Sequence, residues 1–267
     1  VNGEKNMLAD YHMHTSFSDD SDYPMEEAVK RALSLGFDEL CFTEHVDYGV
    51  KTDENCDYNA YQAEFLRCKE LFKDKIQLKF GIEFGIQTHT IAEFERDFKG
   101  YPFDFVIMSC HQVEDKEFWR MEFQEGRTQE EYNRRYYEEI LQVISRYKNY
   151  SVLGHLDMIV RYDPIGVYPF EKVEPIIRQI LKTAIKDGKG IEVNTSSFRY
   201  GVKDLTPSVN ILRLYKELGG TILTIGSDSH KESHVGYNIP LVKERLRGLG
   251  FKNFCTFTKM QPAFHAL

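Results

Sequence analysis

The sequence predicts an α/β fold in which repeated βα units close into a barrel of parallel strands. Three observations predict it. Short runs rich in β-branched and aromatic residues alternate with longer segments of helical period, the pattern of βα units around a parallel sheet. Seven such runs can be counted. Five of them end in a histidine or place one within a residue or two of the end, and a sixth carries a glutamate there. In a parallel barrel the C-terminal strand ends open onto one face, so residues far apart in sequence converge there.

The first run, MLADYH (7–12), leads into the helical segment YPMEEAVKRALSLG. ELCFTEH (39–45) follows, then the helix NAYQAEFLRCKELFKD, then the strands IQLKFGIEF (76–84) and FDFVIMSCH (103–111). A long but strongly patterned connection over 112–149 contains the helix QEEYNRRYYEEILQVISRYK. YSVLGHLD (150–157), EKVEPIIRQILKTAIKDG, GIEVNTS (190–196), PSVNILRLYKELG, GTILTIGSDSH (220–230) and VKERLRGLG complete the alternation. Helices stop at Gly36, Gly188 and Gly219, as expected of left-handed caps. KNFCTFTKM (252–260) reads as either an eighth strand or a C-terminal edge. No linker-like stretch divides the chain, so residues 7–267 read as one domain, with VNGEKN (1–6) a leader or vector-derived segment.

Composition excludes several function classes. With 42% apolar and 28% charged residues the chain has the balance of an ordinary soluble protein. Its apolar runs are too short to span a membrane and it opens with no signal-peptide pattern, so a cytoplasmic location is expected. A formal charge of -8 gives no basic footprint for nucleic acid. Five scattered cysteines, never spaced as CxxC, suggest neither disulfides nor a zinc knuckle and read as reduced thiols.

His12 and His14 stand at i and i+2, so on extended backbone both rings point to one side and can reach one ion. Alone, an HxH is better explained by two surface or hydrogen-bonded histidines. Asp228 and His230 repeat the spacing at the last strand, and His45, His111 and His155 occupy matching strand ends. Glu83, inside the apolar GIEFG, needs a cation or strong donor if buried. His89, His234 and His265 fall outside the pattern and read as loop or surface residues. Adding an acid from SDDS makes nine potential ligands, which suits two or three divalent ions with Glu83 bridging. Imidazole and carboxylate without thiolate indicate Zn, Mn or Fe.

HMH, TEH, the strand-end glutamate, SCH, GHLD and GSDSH, in this order, resemble the polymerase and histidinol phosphatase (PHP) family of metal-dependent phosphoesterases. The resemblance covers nearly the whole chain and implies a distorted (β/α)7, TIM-like barrel with its metal site at the C-terminal strand ends. Within the family, EVNTSSFRYG and GHLDMIVRY resemble the histidinol-phosphate phosphatases of histidine biosynthesis. It implies that His12, His14, Glu83 and Asp228 surround a first ion and that Glu83 bridges to a second held with His111 and His155. His45, His230 and Asp20 would hold a third, with Asp19 the alternative to Asp20. It also implies that Arg161 and Arg199 bind the phosphate of a small phosphorylated metabolite, attacked by a hydroxide held between ions. Acids of the long connection, Glu114 or Asp115, are candidates for reading an imidazole or ammonium group. Competing readings are a PHP phosphoesterase acting on nucleotides or DNA 3′ ends, and a metal-binding protein without turnover.

Overall fold

The computed structural model describes residues 7–267; the expectation for residues 1–6 lies outside the described residues. Its central sheet is built from β1 (Ala9–Asp10), β2 (Glu39–Phe42), β3 (His45–Asp47), β4 (Gln77–Gly85) and β5 (Phe105–Ser109). A small hairpin, β6 (Gln112–Val113) and β7 (Lys116–Glu117), follows, and β8 (Val152–Leu153), β9 (Gly190–Asn194) and β10 (Leu223–Gly226) complete the sheet. The order is β1-β2-β4-β5-β8-β9-β10, every pairing parallel, and β3 also pairs with β4. Because β3 resumes the path of β2 beyond Thr43 and Glu44, the chain passes through the sheet seven times, as the alternation predicts. The first and last passes meet: Tyr11 N–H donates to the Ile225 carbonyl at 3.0 Å and His14 N–H to that of Ser229 at 2.7 Å. The result is a nearly closed barrel.

Among the described residues seven α-helices pack outside: α1 (Met25–Ser34), α2 (Tyr58–Leu71), α3 (Ile91–Gly100), α4 (Gln129–Arg146), α5 (Phe170–Lys186), α6 (Val209–Glu217) and α7 (Ile239–Gly248). Thr128 and Glu131 form a reciprocal capping box that starts α4. Gly36, Gly188 and Gly219 sit at φ of 80°, 68° and 86°, the left-handed conformation expected of them at helix ends. The sequence reading missed α3. A signal was present, since Ile91, Phe94 and Phe98 stand at i, i+3 and i+7 and the half-buried Ile91 and Phe98 pack with Phe94 against the core.

Residues 252–260 are not an eighth barrel strand. They form β11 (Asn253–Thr258), antiparallel to β12 (Gln261–Ala266) in a separate sheet, because Lys259 and Met260, at φ of 50° and 64°, turn the chain back on itself. This hairpin closes the N-terminal mouth of the barrel. Phe257 packs on Phe105, at the start of β5, with centroids 5.1 Å apart, and its N–H donates to the Tyr11 hydroxyl at 2.7 Å. Tyr11 in turn donates to Glu39, the first residue of β2. With one mouth plugged, the C-terminal mouth is the open one.

Candidate active site

Every strand-end residue singled out in the sequence arrives at that open mouth. His12 and His14 follow β1 with Met13 between them, and Met13 bridges to Ser229 beyond β10, which brings HMH beside SDSH. His45 opens β3 directly opposite Glu83 in β4. His111 and His155 lie two residues past β5 and β8. Asp228, past β10, adopts a φ of 54°, uncommon for a residue with a side chain, and aims its carboxylate back at the histidines.

Glu83 is the hub. One carboxylate oxygen lies 3.1 Å from His12 Nε2, 3.1 Å from His45 Nδ1 and 3.4 Å from His14 Nε2. The other lies 3.2 Å from His111 Nε2 and 2.9 Å from His155 Nε2, and accepts from Ser109 Oγ at 2.6 Å. Asp228 Oδ1 stands 3.6 Å from His12 Nε2 and 3.5 Å from His14 Nε2. At the outer side His230 Nε2 is 3.1 Å, and His45 Nε2 3.6 Å, from Asp20. Asp19 instead pairs with Lys51, away from the histidines.

The donor chemistry fits metal ions. His14 Nε2, His45 Nδ1 and His230 Nε2 are buried ring nitrogens that face carboxylate oxygens at ion-pair distance without forming an aligned hydrogen bond, an arrangement a cation satisfies. Five overlapping sets of three residues, among them His12, His14 and Glu83, and Glu83, His111 and His155, bring their ligand atoms within 4.8 Å of one another. Glu83, Asp228 and His14 stand in the charge state of ligands, whereas against burial the surrounding acids raise His12, His45, His111 and His230, whose protons an ion would displace. Burial alone would push Glu83 up, but His12, His111 and His45 hold it well below the usual carboxylate range. His12, His230, His14 and Arg161 do the same for Asp228 against the effect of burial. Burial, with the neighbouring His45 and His230, keeps His14 low and therefore neutral.

Above the cluster opens a cleft of about 270 Å³ walled by Lys51, Trp119, Met158, Arg161, Tyr162 and Tyr200. Arg161 reaches it from the 3-10 turn after His155, stacked at 4.7 Å over Tyr200, with one Nη donating to Ser196 Oγ at 2.7 Å. Arg199 is not in the cleft wall. Its two Nη groups donate to the carbonyls of Ser227 and Asp228 at 2.9 and 2.7 Å, so it supports the Asp228 turn from beneath. Glu114 and Asp115 are not brought to the cleft either. Glu114 pairs with Arg127 and Arg135, and Asp115 with Gln87 and His89. His89, His234 and His265 stay outside the cluster as expected.

Two acids that contact the cluster's histidines escaped the sequence reading. Asp47 Oδ1 lies 2.9 Å from His111 Nδ1, and Glu192 Oε1 2.5 Å from His12 Nδ1. Both had a signal: His45-Val46-Asp47 repeats the i, i+2 spacing, and Glu192 interrupts the apolar GIEVN as Glu83 interrupts GIEFG.

A parallel barrel carrying six imidazoles and several carboxylates at its C-terminal mouth is the arrangement of a metal-dependent hydrolase. The PHP domain pattern matches residues 10–196, and the chain belongs to the PHP family. The histidinol-phosphatase of Lactococcus lactis is 34% identical over 256 residues, spanning 94% of this chain and 95% of that protein. A probable histidinol-phosphatase of Thermotoga maritima is 27% identical, spanning 92% and 94%. The crystal structure of the Lactococcus lactis histidinol phosphate phosphatase, complexed with Zn, L-histidinol and phosphate, superposes with a TM-score of 0.85 at 32% identity, covering 96% of this chain and 98% of that one.

Proposed function

We propose that this protein is a metal-dependent phosphomonoesterase that hydrolyses L-histidinol phosphate to L-histidinol and phosphate. The observation that carries the reading is the cluster around Glu83 beneath a cleft sized for a small molecule, in a chain that is 34% identical to a histidinol-phosphatase. Two or three divalent ions are held as follows. His12, His14, Glu83 and Asp228 take the first, Glu83, His111 and His155 the second, and His45, His230 and Asp20 the third. Bound there, such ions lower the pKa of water and neutralise phosphoryl oxygens, the two needs of phosphate-ester hydrolysis.

The chain's own groups do the rest. Arg161 presents guanidinium donors to the phosphoryl oxygens, and its stacking on Tyr200 and bond to Ser196 hold it in place. A second phosphate contact is assigned to Arg199, whose guanidinium is held by the Ser227 and Asp228 carbonyls one residue before the cleft-wall Tyr200. The apolar and aromatic walls, Met158, Trp119 and Tyr162, exclude water and enclose the organic part of the substrate. Phosphate release measured on a panel of sugar, amino-alcohol and nucleotide monophosphates tests the reading. Histidinol phosphate is expected to give the highest kcat/KM, and a nucleotide preferred over it would overturn the assignment.

Two further results are expected of this site. Asp20→Asn should lose one ion equivalent and on the order of tenfold or more in kcat/KM, because it removes a charged ligand, while Asp19→Asn stays near wild type. Metal analysis of both variants checks it, and the reverse pattern would move the role to Asp19. Ion uptake should also be coupled to proton release. In the metal-free protein burial pulls His111 down, but Asp47 and Glu83 outweigh it and carry its pKa up to about 9. Below that pH His111 holds a proton that an ion must displace, so affinity for zinc should rise between about pH 6 and pH 8 and fall in acid. Calorimetry in buffers of different ionisation enthalpy measures the released protons, and a pH-independent affinity would contradict it.

A further inference from the structure

Glu192 is wholly buried in β9 and forms no part of the cleft wall, yet its carboxylate meets two passes of the barrel that carry metal-site histidines. Oε1 lies 2.5 Å from His12 Nδ1, beyond β1. Oε2 accepts from the backbone N–H of His155, beyond β8, at 2.8 Å and from Asn194 Nδ2 at 3.4 Å. Both contacts to Oε2 come from donors that cannot accept. The backbone is shaped around the contact: a Cβ on Gly226 would fall 2.3 Å from the His12 Cβ and 2.7 Å from Glu192 Oε1, so only glycine lets β10 pass there.

We infer that Glu192 is a positioning residue that sets the ligand geometry at two ion positions with one carboxylate, an inference that rests on the functional reading above. Accepting the Nδ1 proton fixes His12 as the tautomer whose Nε2 faces Glu83 and Asp228, at 3.1 and 3.6 Å. Holding the His155 peptide fixes the turn that places His155 Nε2 2.9 Å from the other oxygen of Glu83. His12 belongs to the first ion and His155 to the second, so loss of Glu192 loosens both. Asp47 differs, since of the cluster's imidazoles it orients His111 alone, through Nδ1 at 2.9 Å.

The comparison is between wild type, Glu192→Gln, Glu192→Asp and Asp47→Asn, each stripped of metal and titrated with zinc. In Glu192→Gln the amide sets a donor against either His12 Nδ1–H or the His155 N–H. Roughly ten- to a hundredfold weaker binding is expected at two positions, the range for a lost carboxylate behind a histidine ligand. Asp47→Asn should weaken one position. Glu192→Asp keeps the charge but is a methylene shorter, and is expected to recover affinity at one position only. Melting of the metal-free proteins separates positioning from bulk structure: a lowered Tm with unchanged zinc affinity would overturn the inference.

Should Glu192→Gln fail to fold, the zinc-loaded wild type still decides. With ¹⁵N-labelled histidine, His12 should show a strongly downfield Nδ1–H resonance with a nuclear Overhauser contact to the His155 amide. Its absence would overturn the inference. Wild type that binds no zinc would instead sink the functional reading itself, so the two failures are distinguishable.

Discussion

Glu83→Gln is expected to empty the metal site and reduce kcat/KM by roughly 10²- to 10⁴-fold, the equivalent of about 3 to 5 kcal/mol for removing one partner from a buried charged cluster. The expectation follows from the position of Glu83 rather than from its being acidic. It faces five imidazoles, His12, His14, His45, His111 and His155, at 2.9 to 3.4 Å, and is fully buried. An amide keeps the volume but loses the charge that holds ions together, and it turns a donor toward rings that must themselves be ligands. Metal content measured alongside rate checks the link. A variant that retained its full complement of ions and still lost activity would show that Glu83 acts on substrate instead.

Arg161→Ala carries the second large effect and must leave the ions in place, because guanidinium is not a ligand. Removing a charge-assisted bond to a phosphate dianion should cost about 1.5 to 3 kcal/mol, roughly ten- to two-hundredfold in kcat/KM. Lysine should restore only part of it, since it keeps the charge but loses the planar fork. Arg199→Ala is expected to be more complex. Its guanidinium supports the carbonyls of Ser227 and Asp228, so the strained Asp228 turn loses a support as well as substrate losing a contact. An Arg161→Ala enzyme with wild-type kcat/KM for phosphate esters would remove the phosphate-recognition part of the proposal.

Much of this arrangement was legible before any coordinates. The paired spacings His12/His14 and Asp228/His230, the lone acid Glu83 in an apolar strand and the histidines at matching strand ends depend on local backbone geometry, which sequence records directly. The distinction between Asp19 and Asp20 was not local. Lys51, contributed by a loop far along the chain, pairs with Asp19 and leaves Asp20 to the histidines. The same holds for Arg199, whose position beyond a strand end matched that of Arg161 but whose donors found backbone carbonyls. The C-terminal hairpin shows the limit for the fold. Residues 252–260 have strand composition, but whether they join the barrel or plug it depends on β12 and on Tyr11, Phe105 and Phe257 packing together.

If convergent imidazoles and carboxylates hold catalytic ions, activity must follow metal content. Metal content is determined on the purified protein, on the same protein after chelation and after adding back Zn, Mn or Fe, with release of phosphate from histidinol phosphate followed at each stage. More than one equivalent of metal per chain, loss of hydrolysis on chelation and its return with metal are the predicted results. Full activity in protein stripped of metal would show that the cluster holds no catalytic ion.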